Sequence, residues 1–226
     1  MTATLPATFL RRFKRMRRRR KVARAYDMAL EISRVLPEHA AVLDVGCGNG
    51  FIAHHLTGLL GSAVTGIDVG TETSARINYL PYDGCHFPLQ EQSFDAVLLC
   101  YVLHHAQNPM LVLNEVARVL RNGGLAIIYE DIPSVWWDRV VCWVHNLQWR
   151  NKTGPCSFQS ENNWRRIFIN AGFEILQERD LSRWRNLAHP VSRRFYIVRL
   201  NDVEELPRRS YPETTVNIQT NVPVSV

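Results

Sequence analysis

The sequence predicts an α/β fold: a doubly wound sheet of seven strands, mostly parallel, with an antiparallel last strand. Three observations lead there. Short apolar runs of strand length alternate with segments of helical period. The run Ala41–Val45 feeds directly into Gly46, Gly48 and Gly50, a turn in which bare backbone can approach a ligand and from which a helix departs. Acids recur at the ends of successive apolar runs, at Asp44, Asp68 and Asp83, so the sheet carries its polar groups along one edge, where open α/β sheets bind ligands.

Each element has its own signal. Val22, Tyr26, Ala29, Ile32 and Leu36 recur at helical spacing until Pro37 stops the pattern, which gives a first helix packed on the sheet. Phe51–Leu60 is the helix leaving the glycine turn. Ala63–Asp68 is a second strand, ending 18 residues after Gly50, where a ribose-binding carboxylate is expected. Val69–Arg76 is too short and too polar for a full crossover helix, so a turn or single helical turn replaces it and the strand Ile77–Asp83 arrives early. Phe94–Tyr101 is nearly all apolar, as in a strand buried on both faces. Asn108 and Pro109 cap and open a helix with Leu113, Val116, Ala117 and Leu120 on one face; Asn122-Gly123-Gly124 ends it before the strand Leu125–Glu130.

The pattern then changes. Within Ser134–Arg150, Trp136, Val140, Trp143, Val144 and Leu147 keep helical spacing, and four of the six tryptophans fall here. Two readings stand: a lid or wall over an apolar or aromatic acceptor, or an amphipathic helix covering the sheet. Ser160 caps a last helix bearing Trp164, Ile167, Phe168 and Ala171, closed by Gly172, and Phe173–Arg179 and Phe195–Leu200 form the antiparallel ending.

These elements divide the chain into a basic arm (1–21), a domain (22–202) in which 134–160 is an insert or lid, and a loose tail (203–226). Met1–Thr8 is expected to be unstructured. The formal charge of +6 is local: Arg11–Arg24 contains ten basic residues and no acid, which leaves 17 basic against 21 acidic residues elsewhere. Phe9, Phe13 and Met16 lie at helical spacing among the arginines, so the arm suits an anionic membrane surface, a phosphate backbone, or plain solvation. Five scattered cysteines without a CxxC pair indicate a reduced compartment and no metal site. No apolar run is long enough to span a membrane, and no secretory signal is visible. The expected location is cytoplasmic, with peripheral membrane attachment or organellar targeting by the Arg-rich start left open.

With these pieces in order, VLDVGCGNG, GIDV, YDG before PL-x-x-x-SFD, VLHH, and NEVARVLRNGG leading into a strand, the chain resembles the class I S-adenosylmethionine-dependent methyltransferases. Within that class it resembles the small-molecule group of type 11, which includes quinone-ring methyltransferases. The resemblance implies a Rossmann-like fold, S-adenosyl-L-methionine as cofactor and a small-molecule acceptor. It also implies roles. Gly46, Gly48 and Gly50 pack against the methionine part, Asp44 attracts its ammonium through water or backbone, and Asp68 accepts from both ribose hydroxyls. Asp83, with Gly84 beside it, holds the adenine amino group, and Val69 packs on the adenine face. Cys100 and Tyr101 line the methyl region, followed by His104 and His105; these histidines and Glu130 are the candidate catalytic groups, with Asp131 next to Glu130 as a further base or substrate anchor. His54 and His55 are expected to be packed or exposed without a role. The 14 residues between Asp68 and Asp83 depart from the family, which usually places a full helix there.

Three other functions compete. A nicotinamide dehydrogenase would need its third glycine at position 51, where Phe51 stands. An RNA methyltransferase could run the arginines along phosphates, although the body is acidic. A non-catalytic cofactor-binding regulator would keep the fold, but a decayed site is expected to lose some of these acids and glycines.

Overall fold

The computed structural model describes residues 7–186 and 189–201. The expected tail 203–226 and the segment before Ala7 lie outside them. The elements are α1 (Ala7–Ser33), β1 (Val42–Val45), α2 (Phe51–Leu60), β2 (Thr65–Asp68), β3 (Asn78–Pro81), β4 (Phe94–Cys100), α3 (Pro109–Val119), β5 (Leu120–Asp131), α4 (Trp136–Thr153), α5 (Glu161–Asn170), β6 (Phe173–Leu181) and β7 (Arg193–Leu200). Short 3₁₀ turns occupy Leu103–His105 and Arg183–Arg185.

The seven strands form one sheet in the order β3-β2-β1-β4-β5-β7-β6. β1, β2, β3, β4 and β5 pair in parallel, and β7 runs antiparallel to both β5 and β6. Alternation along the central strands divides the core in two. Val97 and Leu99 of β4, with Ala126 and Ile128 of β5, meet Leu113 and Val116 of α3 and Trp164 and Phe168 of α5. Ala96, Leu98, Ile127 and Tyr129 point the other way, onto Ala29 and Ile32 of α1 and Leu56 and Leu60 of α2. A sheet buried on both faces has every polar strand end gathered at its rim, which fixes where a site can form.

Several details differ from the sequence reading. One continuous helix, α1, runs from Ala7 through the point where arm and domain were divided, and Ala7 and Thr8 belong to it. Its second half is anchored by Ala29 and Ile32, and by Glu31, which accepts from the Tyr129 hydroxyl at 2.9 Å and pairs with Arg179. The arginine-rich half is therefore carried rigidly by the buried half. Leu120 is not on the helix face: α3 stops at Val119, and β5 begins at Leu120, opposite Phe94, with a register shift before Leu125 pairs with Ala96. Asn122-Gly123-Gly124 lies inside this irregular start of the strand.

The short crossover is as expected, with no helix between β2 and β3. Its loop folds over the glycine turn instead: Ala75 N–H donates to Asn49 O at 3.0 Å, and Ser74 Oγ to Asn49 Oδ1 at 3.0 Å. A Cβ at Gly50 would stand 2.6 Å from Thr73 Oγ1, so the loop closes tightly on the turn.

α4 does not turn its apolar stripe onto the sheet; of its tryptophans, Trp149 lines the cavity at the rim of the sheet. Trp136, Val140, Trp143, Val144 and Leu147 are all exposed, Trp136 by 72% and Trp143 by 61%. The helix is held by its other side, through buried Cys142 and through Asp138, whose carboxylate accepts from Ser134 N–H and pairs with Arg183. The apolar stripe faces outward over three turns.

Candidate active site

At the carboxyl rim of β1, β2, β4 and β5 lies a cavity of 1310 Å³. Of the residues proposed from sequence, Gly46, Gly48, Asp68, Val69, Asp83, Gly84, Cys100, Tyr101, His104 and His105 line it. Asp44, Gly50 and Glu130 do not; they stand behind its wall.

The cavity's floor is the glycine turn. Gly46 has φ +64°, and a Cβ there would collide with Val102 at 2.6 Å. Gly48 has φ +54°, but a Cβ there would meet nothing within 4 Å, so its missing side chain leaves the backbone open to the cavity. Beneath the turn, Asp44 is fully buried and its Oδ2 has no hydrogen-bond partner among the described residues. Burial pushes its pKa up to about 7, with a backbone hydrogen bond from Ala53 opposing and the nearby Asp68 adding to the rise. A buried, half-satisfied carboxylate under exposed backbone is a place for an ammonium group.

Asp68 sits at the end of β2. Oδ2 accepts from Gly48 N–H at 2.8 Å and Oδ1 from Gly70 N–H at 2.9 Å, so both oxygens are fixed while each keeps a further lone pair. Asp83 spends Oδ1 on Cys85 N–H and His86 N–H, both at 2.7 Å; these backbone donors lower its pKa, and Oδ2 lies 3.5 Å from His86. These acids, the open Gly48 and the half-satisfied Asp44 fit a ligand with an ammonium, two vicinal hydroxyls and an amino-purine. S-adenosylmethionine is such a ligand.

The opposite end is aromatic and histidine-rich. Tyr101, directly after β4, has φ +64°, a conformation L side chains rarely adopt, and its N–H donates to Tyr129 O at 2.8 Å. Next comes the turn Leu103–His105. Glu130, completely buried at the end of β5, accepts from Leu103 N–H at 2.8 Å on Oε1 and from His104 Nδ1 at 2.6 Å on Oε2. This corrects its assignment as a candidate base: both oxygens are engaged and neither reaches the cavity. Glu130 is instead the group that orients His104. The Nε2 of His104 is left buried with no partner among the described residues. Burial lowers the pKa of this imidazole, but the charge and hydrogen bond of Glu130 outweigh it and the net shift is upward.

Sequence reading missed several residues here. His145 of α4, His189, and Arg193 of β7 line the same end, beside Trp149, which belongs to the stretch expected as a lid or wall. Asp131 joins two of them, at 2.8 Å from His189 Nε2 and 2.9 Å from Arg193 Nε. Burial first, then the neighbouring histidines, push His105 down to about 3 and His145 down to about 4, so both are neutral at physiological pH. His54 is exposed, whereas His55 packs edge-on against Tyr26 at 5.3 Å; neither reaches the cavity.

Residues 43–128 match the methyltransferase domain family of type 11. The chain is 33% identical over 113 residues to the tRNA U34 carboxymethyltransferase of Saccharophagus degradans, covering 42% of this chain and 35% of that protein. It is 30% identical over 173 residues to squalene methyltransferase 2 of Botryococcus braunii, covering 69% and 44%. The chain thus spans less than half the length of these curated relatives. Among solved structures, a SAM-dependent methyltransferase of Methanosarcina mazei superposes with a TM-score of 0.61 at 19% identity, over 75% of this chain and 96% of that one, which shows the shared fold. Residues 43–128 thus carry a methyltransferase domain, and the sheet around them has the fold of the class I S-adenosylmethionine-dependent methyltransferases.

Proposed function

We propose that the protein transfers a methyl group from S-adenosylmethionine to a small apolar or lipid-like acceptor, working at an anionic membrane surface. One observation carries the reading: the cavity continues past the cofactor residues into an aromatic chamber whose wall holds one oriented imidazole, His104, with its Nε2 unpartnered. When bound, S-adenosylmethionine supplies a methyl on a sulfonium whose departure is already favourable. The chain's own residues then have two tasks, to hold the acceptor in line and to remove its proton. The strained Tyr101 and the adjoining Cys100 form the wall between the two ends. Glu130 holds His104 through Nδ1, which leaves Nε2 as the proton acceptor and stabilises the imidazolium that forms.

The membrane reading rests on what surrounds the mouth. Lys21 and Arg24 of α1 line one side of the cavity and Gln148 and Trp149 of α4 another. The first helix carries the ten basic residues of Arg11–Arg24, and the second turns its tryptophan stripe outward. Cationic and apolar surfaces flanking one opening suit a bilayer with anionic headgroups. No helix among the described residues is long and apolar enough to cross a membrane, so the contact is peripheral. The squalene methyltransferase relative is named for an apolar acceptor, which supports the same class. The tRNA-modifying relative and the arginines support an RNA acceptor, against which stands the exposed apolar stripe.

The test is incubation of the full chain with methyl-labelled cofactor and separate lipid, polar-metabolite and RNA fractions. Label in a chloroform-soluble product supports the proposal. Label in RNA replaces it with the RNA reading, and cofactor binding without transfer to any fraction replaces it with the regulatory one.

A further inference from the structure

The aromatic chamber gathers three histidines from two distant segments. His104 and His105 come from the turn after β4, and His145 from the middle of α4. One ring nitrogen of each lies within 4.8 Å of the others, and the Nε2 atoms of His105 and His145 are 3.3 Å apart. Ligand nitrogens in a tetrahedral zinc site with Zn–N bonds of about 2.1 Å stand about 3.4 Å apart. One pair therefore already has ligand spacing.

The outer partners select the nitrogens. His104 Nδ1 is held by Glu130 at 2.6 Å, a carboxylate behind an imidazole of the kind that orients metal-binding histidines. His105 Nδ1 lies 3.4 Å from Cys156 Sγ, which turns its Nε2 toward His145. His104 Nε2 is buried and unpartnered among the described residues. Phe158 stacks on His104 at 4.8 Å and Trp149 stands 5.3 Å from His105, so the cluster has apolar walls.

We infer that His104, His105 and His145 form a binding site for a zinc-class divalent ion, with Glu130 and Cys156 as its outer partners and one coordination position open to the cavity. Three imidazoles are a zinc-type ligand set, and the fourth position is where a hydroxyl or water of the acceptor side would bind. With the ion in place, His104 serves as a ligand, and an acceptor hydroxyl bound to the ion loses its proton more readily than a free one. The inference rests on the proposed methyl transfer and changes the part of His104 in it from proton acceptor to ligand, while none of its ligands is a cofactor-binding residue.

The test uses the full chain, without a histidine tag, stripped by a chelator and titrated with Co²⁺ and then with Zn²⁺ in competition. The expected result is one equivalent of Co²⁺ with the intense visible absorption of a four- or five-coordinate site, bleached by Zn²⁺. His145→Ala should weaken binding at least tenfold while leaving the circular dichroism and the cofactor affinity in place. His105→Gln should do the same if His145→Ala disturbs α4. Absence of the absorption, or unchanged Co²⁺ affinity in both variants, overturns the site. Cofactor calorimetry on the stripped protein reads the methyltransferase assignment separately, so failure of one leaves the other measurable.

Discussion

Asp68 and Glu130 are both carboxylates at strand ends, yet their surroundings give them opposite work. Asp68 faces the cavity with both oxygens pinned by backbone amides, ready for two hydroxyl donors. Asp68→Ala should cost about 1.5–3 kcal/mol of cofactor binding, roughly 10- to 100-fold in Kd by calorimetry, and a change below twofold would remove it from the ribose site. Glu130 works behind His104. Its charge raises the pKa of that imidazole against the opposing effect of burial. The free base is the form that takes a proton, so transfer should rise with pH through the raised value. In Glu130→Gln the upward influence is lost and burial remains, so the acid limb of the kcat profile should move to lower pH while the plateau falls. An unmoved limb with a lower plateau would reduce Glu130 to a purely structural role. Asp44 gives a further pH effect. Its pKa near 7 means that pairing with an ammonium draws off a proton, so cofactor affinity should increase between pH 6 and 8 and Asp44→Asn should flatten that slope.

At the scale of elements, the strand ends were legible because chemistry and periodicity coincide there. A buried strand must finish in polar residues where it meets the rim, so Asp44, Asp68 and Asp83 declared themselves in the sequence. The histidine chamber was not legible. His145 is 40 residues from His105 along the chain and joins it only through the placement of α4, which no local pattern encodes. The left-handed backbone at Tyr101 has no sequence signal either, since no glycine marks it. Periodicity in α4 was real but its sense was hidden. A stripe at i, i+4, i+7, i+8 and i+11 says that one face is apolar, not what it meets. The structure turns that face outward, and a patch of this size calls for a partner. Trp136→Ser with Trp143→Ser should weaken binding to anionic vesicles roughly tenfold or more, because each loses apolar area that a bilayer would cover. Thermal stability should hold, since both side chains are already exposed. A fall in Tm with unchanged vesicle binding would assign the stripe to packing instead.

The whole molecule is electrically lopsided. Ten basic residues lie along α1 from Arg11 to Arg24, while the rest of the chain has 17 basic against 21 acidic residues. Because α1 is one helix whose second half is buried against the sheet, that charge is held in fixed relation to the cavity mouth. A flexible arm would sample all directions; a rigid one orients the body it belongs to. On the proposed membrane reading, the anionic surface that attracts α1 repels the acidic body, so the pose expected is one with the cavity facing the membrane. Arg12, Arg15 and Arg19 are exposed on α1, none of them lines the cavity, and each is worth about 1 kcal/mol at an anionic surface. Replacing all three with glutamine should weaken binding to phosphatidylserine vesicles roughly a hundredfold at low ionic strength and flatten its salt dependence. Cofactor affinity in solution should stay the same, while transfer to a vesicle-borne acceptor falls and transfer to the same acceptor in detergent does not. If detergent and vesicle rates fell together, α1 would act on the cavity itself rather than on its orientation.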